Sequence, residues 1–111
     1  MDKDYLGILT EIDKYEKSSP ERLLFLSVIF QALLDATKEK TRVESSRTSV
    51  ERANARAWFF CSVGVTCENF EYVCENAGMD AEYTRGFALK VINSKEIKYV
   101  RQRIRRVLDK S

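Results

Sequence analysis

The chain has 111 residues, 44% of them hydrophobic and 32% charged, with a formal net charge of +2. These values predict one globular domain with a core of its own and argue against disorder. Histidine is absent, which excludes Ser-His and Cys-His nucleophile systems, histidine general bases and histidine metal ligands, so a hydrolase is not expected.

Four glycines and one proline are too few turn residues for many short strands, and an all-α fold of five to six helices is expected. Residues 1–111 form the expected single domain, with N-terminal helices in 1–47. A helix-turn-helix-like unit and a basic C-terminal helix are expected in 48–111. The polar opening MDKDYLG is unlike a signal peptide, and no apolar run approaches the ~20 residues of a membrane span. Three cysteines, an odd number, suit a reducing compartment. The expected setting is the cytoplasm, with no membrane contact.

From the N-terminus, Tyr5, Ile8, Leu9, Ile12 and Tyr15 fall at helical spacing and predict a short amphipathic helix, weakened by Gly7. Lys17 to Pro20 break it. Ser19, Pro20 and Glu21 then give a cap, a first-turn proline and an acid at the positive end of a dipole. The run Leu23–Leu34 is apolar almost all round, which predicts either the buried centre of the domain or a centre that also forms a homodimer interface. Lys38 to Ser49 reads as a frayed end and a loop. Thr48 and Glu51 fit a capping box, opening a third helix whose inward side is expected at Val50, Ala53, Ala57 and Phe60.

The stretch Phe70–Ile92 carries the most organised pattern. A fourth helix with Phe70, Val73, Cys74 and Ala77 inward stops at Gly78, and Asp80 caps a fifth with Tyr83, Thr84, Phe87, Ala88 and Val91. A helix-turn-helix unit has this layout, with Cys74 at the small position, Gly78 at the turn and Met79 after it. The supporting, positioning and reading helices would be Val50–Phe60, Cys67–Ala77 and Ala81–Ile92. Arg85 on the reading helix could contact guanine, worth about 1–3 kcal/mol of discrimination, with Lys90 beside it. Asp80 and Glu82 put negative charge where phosphates would approach. The competing reading is a helical corner that only packs.

Asn93 and Ser94 break the chain again. The last helix has Ile97, Val100, Ile104, Val107 and Leu108 on one stripe. Residues 95–111 hold seven basic side chains against two acidic ones, whereas the rest of the chain holds twelve basic and fifteen acidic. Lys98, Arg101 and Arg105 share a face, and with Arg106 they are the expected phosphate contacts. The same pattern fits a partner-binding helix or a solvated face. Cys67 and Cys74 lie seven apart without any C-x-x-C pair, and Glu68, Glu71 and Glu75 have the spacing of a solvated helix face. No metal, cofactor or catalytic residue is expected.

Arg56, Trp58 and Phe59, followed by Asn69-Phe70, Val73-Cys74, Ala77-Gly78, Asp80 and Thr84-Arg85, resemble a pattern of small helical proteins of bacteriophages and prophages. The likeness covers about thirty residues, Arg56 to Arg85; residues 1–48 have no counterpart in it, and Thr84 stands where an apolar residue is usual. It implies a phage-related setting and a helix-turn-helix-like unit, and no established activity. The function expected is therefore that of a small phage-type DNA-binding or transcription-modulating protein. The alternative is a protein-binding module that inhibits or redirects a host enzyme without touching DNA. Neither is an enzyme.

Overall fold

The computed structural model describes the backbone of residues 3–110 and the side chains of residues 6–109. Tyr5 and Lys110, assigned above to the first helix and the basic tail, lie outside the described side chains. Among the described residues there are six helices and no strand: α1 Lys3–Tyr15, α2 Pro20–Ala36, α3 Ser46–Phe60, α4 Gly64–Ala77, α5 Ala81–Ile92 and α6 Ile97–Lys110. The fold is all-α, as the turn-poor composition requires.

Helix α2 is the axis of the packing. It starts where the sequence places it: Ser19 Oγ accepts from the Arg22 amide at 3.4 Å, and Pro20 occupies the first turn. It packs against α3, α4, α5 and α6, burying Leu26, Ile29, Phe30, Leu33 and Leu34. The rest of the core closes over these side chains with Ile8 and Ile12 of α1, Phe59 of α3, Phe70 of α4, Val91 of α5 and Val100 and Ile104 of α6. Edge-to-face rings add a directional element, with Trp58 on Phe70 at 4.9 Å and Phe59 on Phe70 at 5.8 Å.

The far end of α2 poses a problem that its own sequence does not solve. A helix C-terminus leaves carbonyls without intrahelical donors and carries partial negative charge, yet the last turn of α2 contains no basic residue. The next residue, Thr37, supplies donors through its amide and hydroxyl, and the others arrive from distant helices. Arg101 of α6 donates to Leu34 O at 2.6 Å and Thr37 Oγ1 at 2.7 Å, while Thr37 Oγ1 itself donates to Leu33 O at 2.6 Å. Arg56 Nε of α3 donates to Ala36 O at 2.9 Å, and Arg52 donates to Lys38 O at 3.4 Å. Arg52 is itself held by a two-pronged ion pair with Glu44, at 2.6 and 3.0 Å.

The rotation of α3, with Phe59 in the core and Arg52 and Arg56 toward the end of α2, differs from the expectation. The helix begins at Ser46, capped by Ser45, whose Oγ accepts from the Thr48 amide at 3.2 Å. Thr48 is thus inside the helix rather than its cap, and the Glu51 carboxylate pairs with Lys38 and Arg47. The inward residues are Ala55 and Phe59; Ala53 and Ala57 face solvent, and Val50 and Phe60 are 55% and 41% exposed. A face chosen from aliphatic spacing alone overlooks the arginines that must reach the carbonyls of α2.

The turn between α4 and α5 follows the sequence closely. Gly78 takes the left-handed conformation at φ 73°. Its amide donates to Glu75 O at 3.1 Å and the Met79 amide donates to Cys74 O at 2.9 Å, the paired bonds of a Schellman ending. Met79 is buried beyond it, and Asp80 Oδ2 accepts from the Tyr83 amide at 2.8 Å to start α5. Of the side chains expected inside α5, Thr84, Phe87, Ala88 and Val91 are buried, and Tyr83 is half exposed.

Truncation at Leu26 or Ile29, both 1% exposed, should cost ~2–5 kcal/mol in urea denaturation. Leu24→Ala on the opposite side, at 67% exposure, should stay within about 0.5 kcal/mol.

The Arg52 guanidinium beside Glu44 holds that carboxyl below the usual carboxylate range. A depressed folded-state pKa contributes stability that is whole above the ordinary value of about 4.3 and lost as pH falls through the folded-state value. The urea midpoint should therefore drop between pH 6 and pH 3, and Glu44→Gln should remove part of that drop.

Candidate nucleic-acid interface

The six side chains expected to meet DNA divide into two groups. Arg85 is turned inward and its side chain is 19% exposed. Its Nε donates to Phe59 O at 3.0 Å, its Nη1 pairs with Glu82 and its Nη2 approaches Cys67 Sγ at 3.6 Å. The guanidinium also lies over the Phe70 ring, 4.8 Å from its centroid. One side chain thus ties α5 to the C-terminal end of α3 and to α4, combining a carbonyl cap with a cation–π contact. Arg101 is engaged in the same way at the end of α2. Burial lowers its pKa, as does the neighbouring charge of Arg105.

The other four side chains face solvent. Lys98, Arg105 and Arg106 are exposed on the outer side of α6, and among the described residues none of them has an intramolecular ion pair. Gln102 lies between them, also exposed. Val100, Ile104 and Val107 are buried on the opposite side of the helix. Arg103, at the edge of this row, pairs with Asp13 and fastens α6 to α1. Lys90 is exposed near the end of α5, where it lines a groove of about 480 Å³ with Gly7, Gly86 and Tyr83. The structure therefore brings Lys98, Arg105 and Arg106 onto one face and commits Arg85 and Arg101 to the interior.

The outward side of α5 offers little to a base edge. Glu82 is 82% exposed and stands at the start of the helix beside the capping Asp80. Gly86, Leu89 and Tyr83 follow it along the solvent side. Gly86 has open space where a Cβ would stand, so nothing among the described residues requires glycine there.

The cysteines serve packing. Cys67 and Cys74 are buried, all three thiols are free, and no group of three or more Cys, Asp or Glu among the described residues could hold a metal ion. The Cys67 thiol donates to Glu71 Oε1 at 3.1 Å, and this bond, with burial, pushes its pKa up; burial does the same at Cys74. No described helix is long and apolar enough to cross a membrane.

One surface feature was only partly readable in the sequence. The outer side of α2 and the facing side of α3 leave an open groove of about 840 Å³, floored by Leu24, Val28, Ala32 and Trp58. The signal for it is the run Leu23–Leu34, apolar on more faces than a chain of this size covers. No protein-family model, curated protein or solved structure matches the chain.

Arg85→Ala leaves the Phe59 carbonyl without its donor and should lower stability by about 1–3 kcal/mol. Arg85→Lys should recover little of the loss, because an ammonium cannot cap the carbonyl and cover the Phe70 ring with one planar group. Thermal or urea denaturation of both variants checks this.

Proposed function

We propose that the protein is a small phage-type DNA-binding protein that holds the phosphate backbone with the outward face of α6. The observation that supports this reading is the row Lys98, Arg105 and Arg106, exposed together and without intramolecular partners among the described residues. From Lys98 to Arg106 the row is about 12 Å long at the rise of an α-helix. Duplex DNA carries one charge per ~1.7 Å of axis, so a row of this length meets several phosphates at once. Lys90 is a further exposed cation, near the end of α5. The order of α3, α4 and α5 and the tight Gly78 turn agree with a helix-turn-helix-like unit, and the resemblance to phage proteins agrees with a setting inside a bacterial host.

The reading departs from sequence-specific recognition. With Arg85 engaged at Phe59 and Phe70 and Glu82 facing solvent, α5 serves as a support, and binding is by charge along the backbone. A transcription-modulating role would follow from occupying DNA rather than from choosing a sequence.

Fluorescence anisotropy with a random-sequence duplex over a salt series tests this directly. Binding at low salt should weaken steeply as salt rises, and each of Lys98→Ala, Arg105→Ala and Arg106→Ala should reduce the log–log slope by about 1. Absence of binding even at low salt would remove the DNA reading in favour of a protein-binding module acting on a host enzyme.

A further inference from the structure

We infer that Tyr99, Gln102 and Arg106 form a seat for one unpaired base, so that the outward face of α6 takes single-stranded DNA as well as the duplex backbone. The inference rests on the reading of α6 as a DNA-binding face and names a form of DNA that this face holds.

The choice of ring follows from its neighbours. Tyr72, Tyr83 and Tyr99 each leave about half of their surface open. Tyr72 stands between Glu68 and Glu75 on the exposed side of α4, edge-on to Phe25. Tyr83 follows the exposed Glu82, and its hydroxyl donates to Glu11. A polyanion is repelled from both places. Tyr99 stands among cations and an amide instead. Lys98 precedes it, and Gln102 and Arg106 follow at helical spacing, all three exposed. Positions i, i+3 and i+7 share one side of a helix, so the ring, the amide and the guanidinium open in the same direction. The nearest carboxylates along the chain lie apart from them. Glu96 is half-buried before α6 begins, and Asp109 is about 15 Å further along the helix.

A depression of about 130 Å³ lies beside the ring, lined by Tyr99, Gln102, Arg103 and Arg106 with Leu9 of α1 as its apolar wall. Cavities of about 150 Å³ admit benzene, so the space suits a single planar ring. Arg103 is committed to Asp13 and holds the wall in place. Arg106 has no ion pair among the described residues and remains the cation for the adjoining phosphate.

These parts distinguish a single strand from a duplex. In a duplex every base is already stacked on its neighbours, and a helix lying along the backbone meets phosphates and sugars. In a single strand each base has an open π-face, and stacking on an aromatic side chain adds affinity whatever the sequence. Gln102 carries both a donor and an acceptor for the base edge. Stacking is not an ion contact, so the single strand should keep part of its binding at salt concentrations that release the duplex.

The test is fluorescence anisotropy over a salt series with two labelled probes, a short deoxythymidine oligomer and a random-sequence duplex of the same length. Tyr99→Ala should weaken binding of the oligomer about 5- to 150-fold and leave binding of the duplex unchanged. Tyr99→Phe keeps the ring and should keep the affinity for the oligomer. Arg106→Ala should reduce the log–log salt slope by about 0.7 for the oligomer and about 1 for the duplex. Unchanged far-UV circular dichroism of each variant shows that the fold is intact. If the duplex binds but the oligomer does not, or if Tyr99→Ala leaves the oligomer unaffected or weakens both probes alike, the inference fails and the backbone reading of α6 stands. If neither probe binds at low salt, both fail.

Discussion

Everything else in the fold depends on how the C-terminal end of α2 is satisfied. That end is packed among other elements, with Ala36 fully buried and Thr37 nearly so, and a buried carbonyl without a donor is costly. Three arginines supply the missing donors: Arg52 and Arg56 from α3 and Arg101 from α6. Arg101 lies 67 positions from the Leu34 carbonyl it serves. The bonds are therefore long-range clamps that fix how α3 and α6 are rotated about the central helix. Arg85 repeats the device one helix further on, closing the end of α3 at Phe59 O and holding α5 in place. The arrangement chains these elements together, with the ends of α2 and α3 each held by a guanidinium from a later helix.

Local rules recover much of this fold from the sequence, and they fail where the partner is distant. Ser19 and Pro20, Gly78, and Asp80 with Tyr83 are contacts within one turn of chain, so spacing and residue type suffice to place them. The buried stripe of α6 is legible for the same reason, since Val100, Ile104 and Val107 obey a single period. Helix α3 is not legible in this way. Aliphatic spacing points to Val50, Ala53, Ala57 and Phe60 as its inward face, but the buried side chains are Ala55 and Phe59, and Arg52 and Arg56 reach the end of α2, a partner that no local pattern announces. Arg85 and Arg101, expected as base and phosphate contacts, each also donate to a backbone carbonyl, a partner that a sequence displaying a positive charge does not show. Lys98, Arg105 and Arg106 do stand on an outward face, where the period of α6 puts them.

The same accounting explains the surface that remains. A small chain has little volume with which to cover a helix that is apolar on most sides. Helices α3 to α6 cover the inner side of α2, and the side bearing Leu24 and Val28 stays open beside Trp58. Filling it internally would need another helix. Leu24 and Val28 therefore stay exposed, at 67% and 45%.

The cations that cap backbone carbonyls in this chain are arginines, which follows from the chemistry of the side chain. A guanidinium offers several donors in a plane, can cap a carbonyl while stacking on a ring, and is less strongly hydrated than an ammonium. Arginine therefore takes the interior positions: Arg85 against Phe59 O and Phe70, Arg101 at Leu34 O, and Arg52 between Glu44 and Lys38 O. Lys90, Lys95 and Lys98 are all exposed, as are Arg105 and Arg106. In a basic helical protein an arginine is thus weighed first as a donor to the nearest open helix end and only then as a contact to an external anion. Applied to α6, that order commits Arg101 to the end of α2 and leaves Lys98, Arg105 and Arg106 facing solvent.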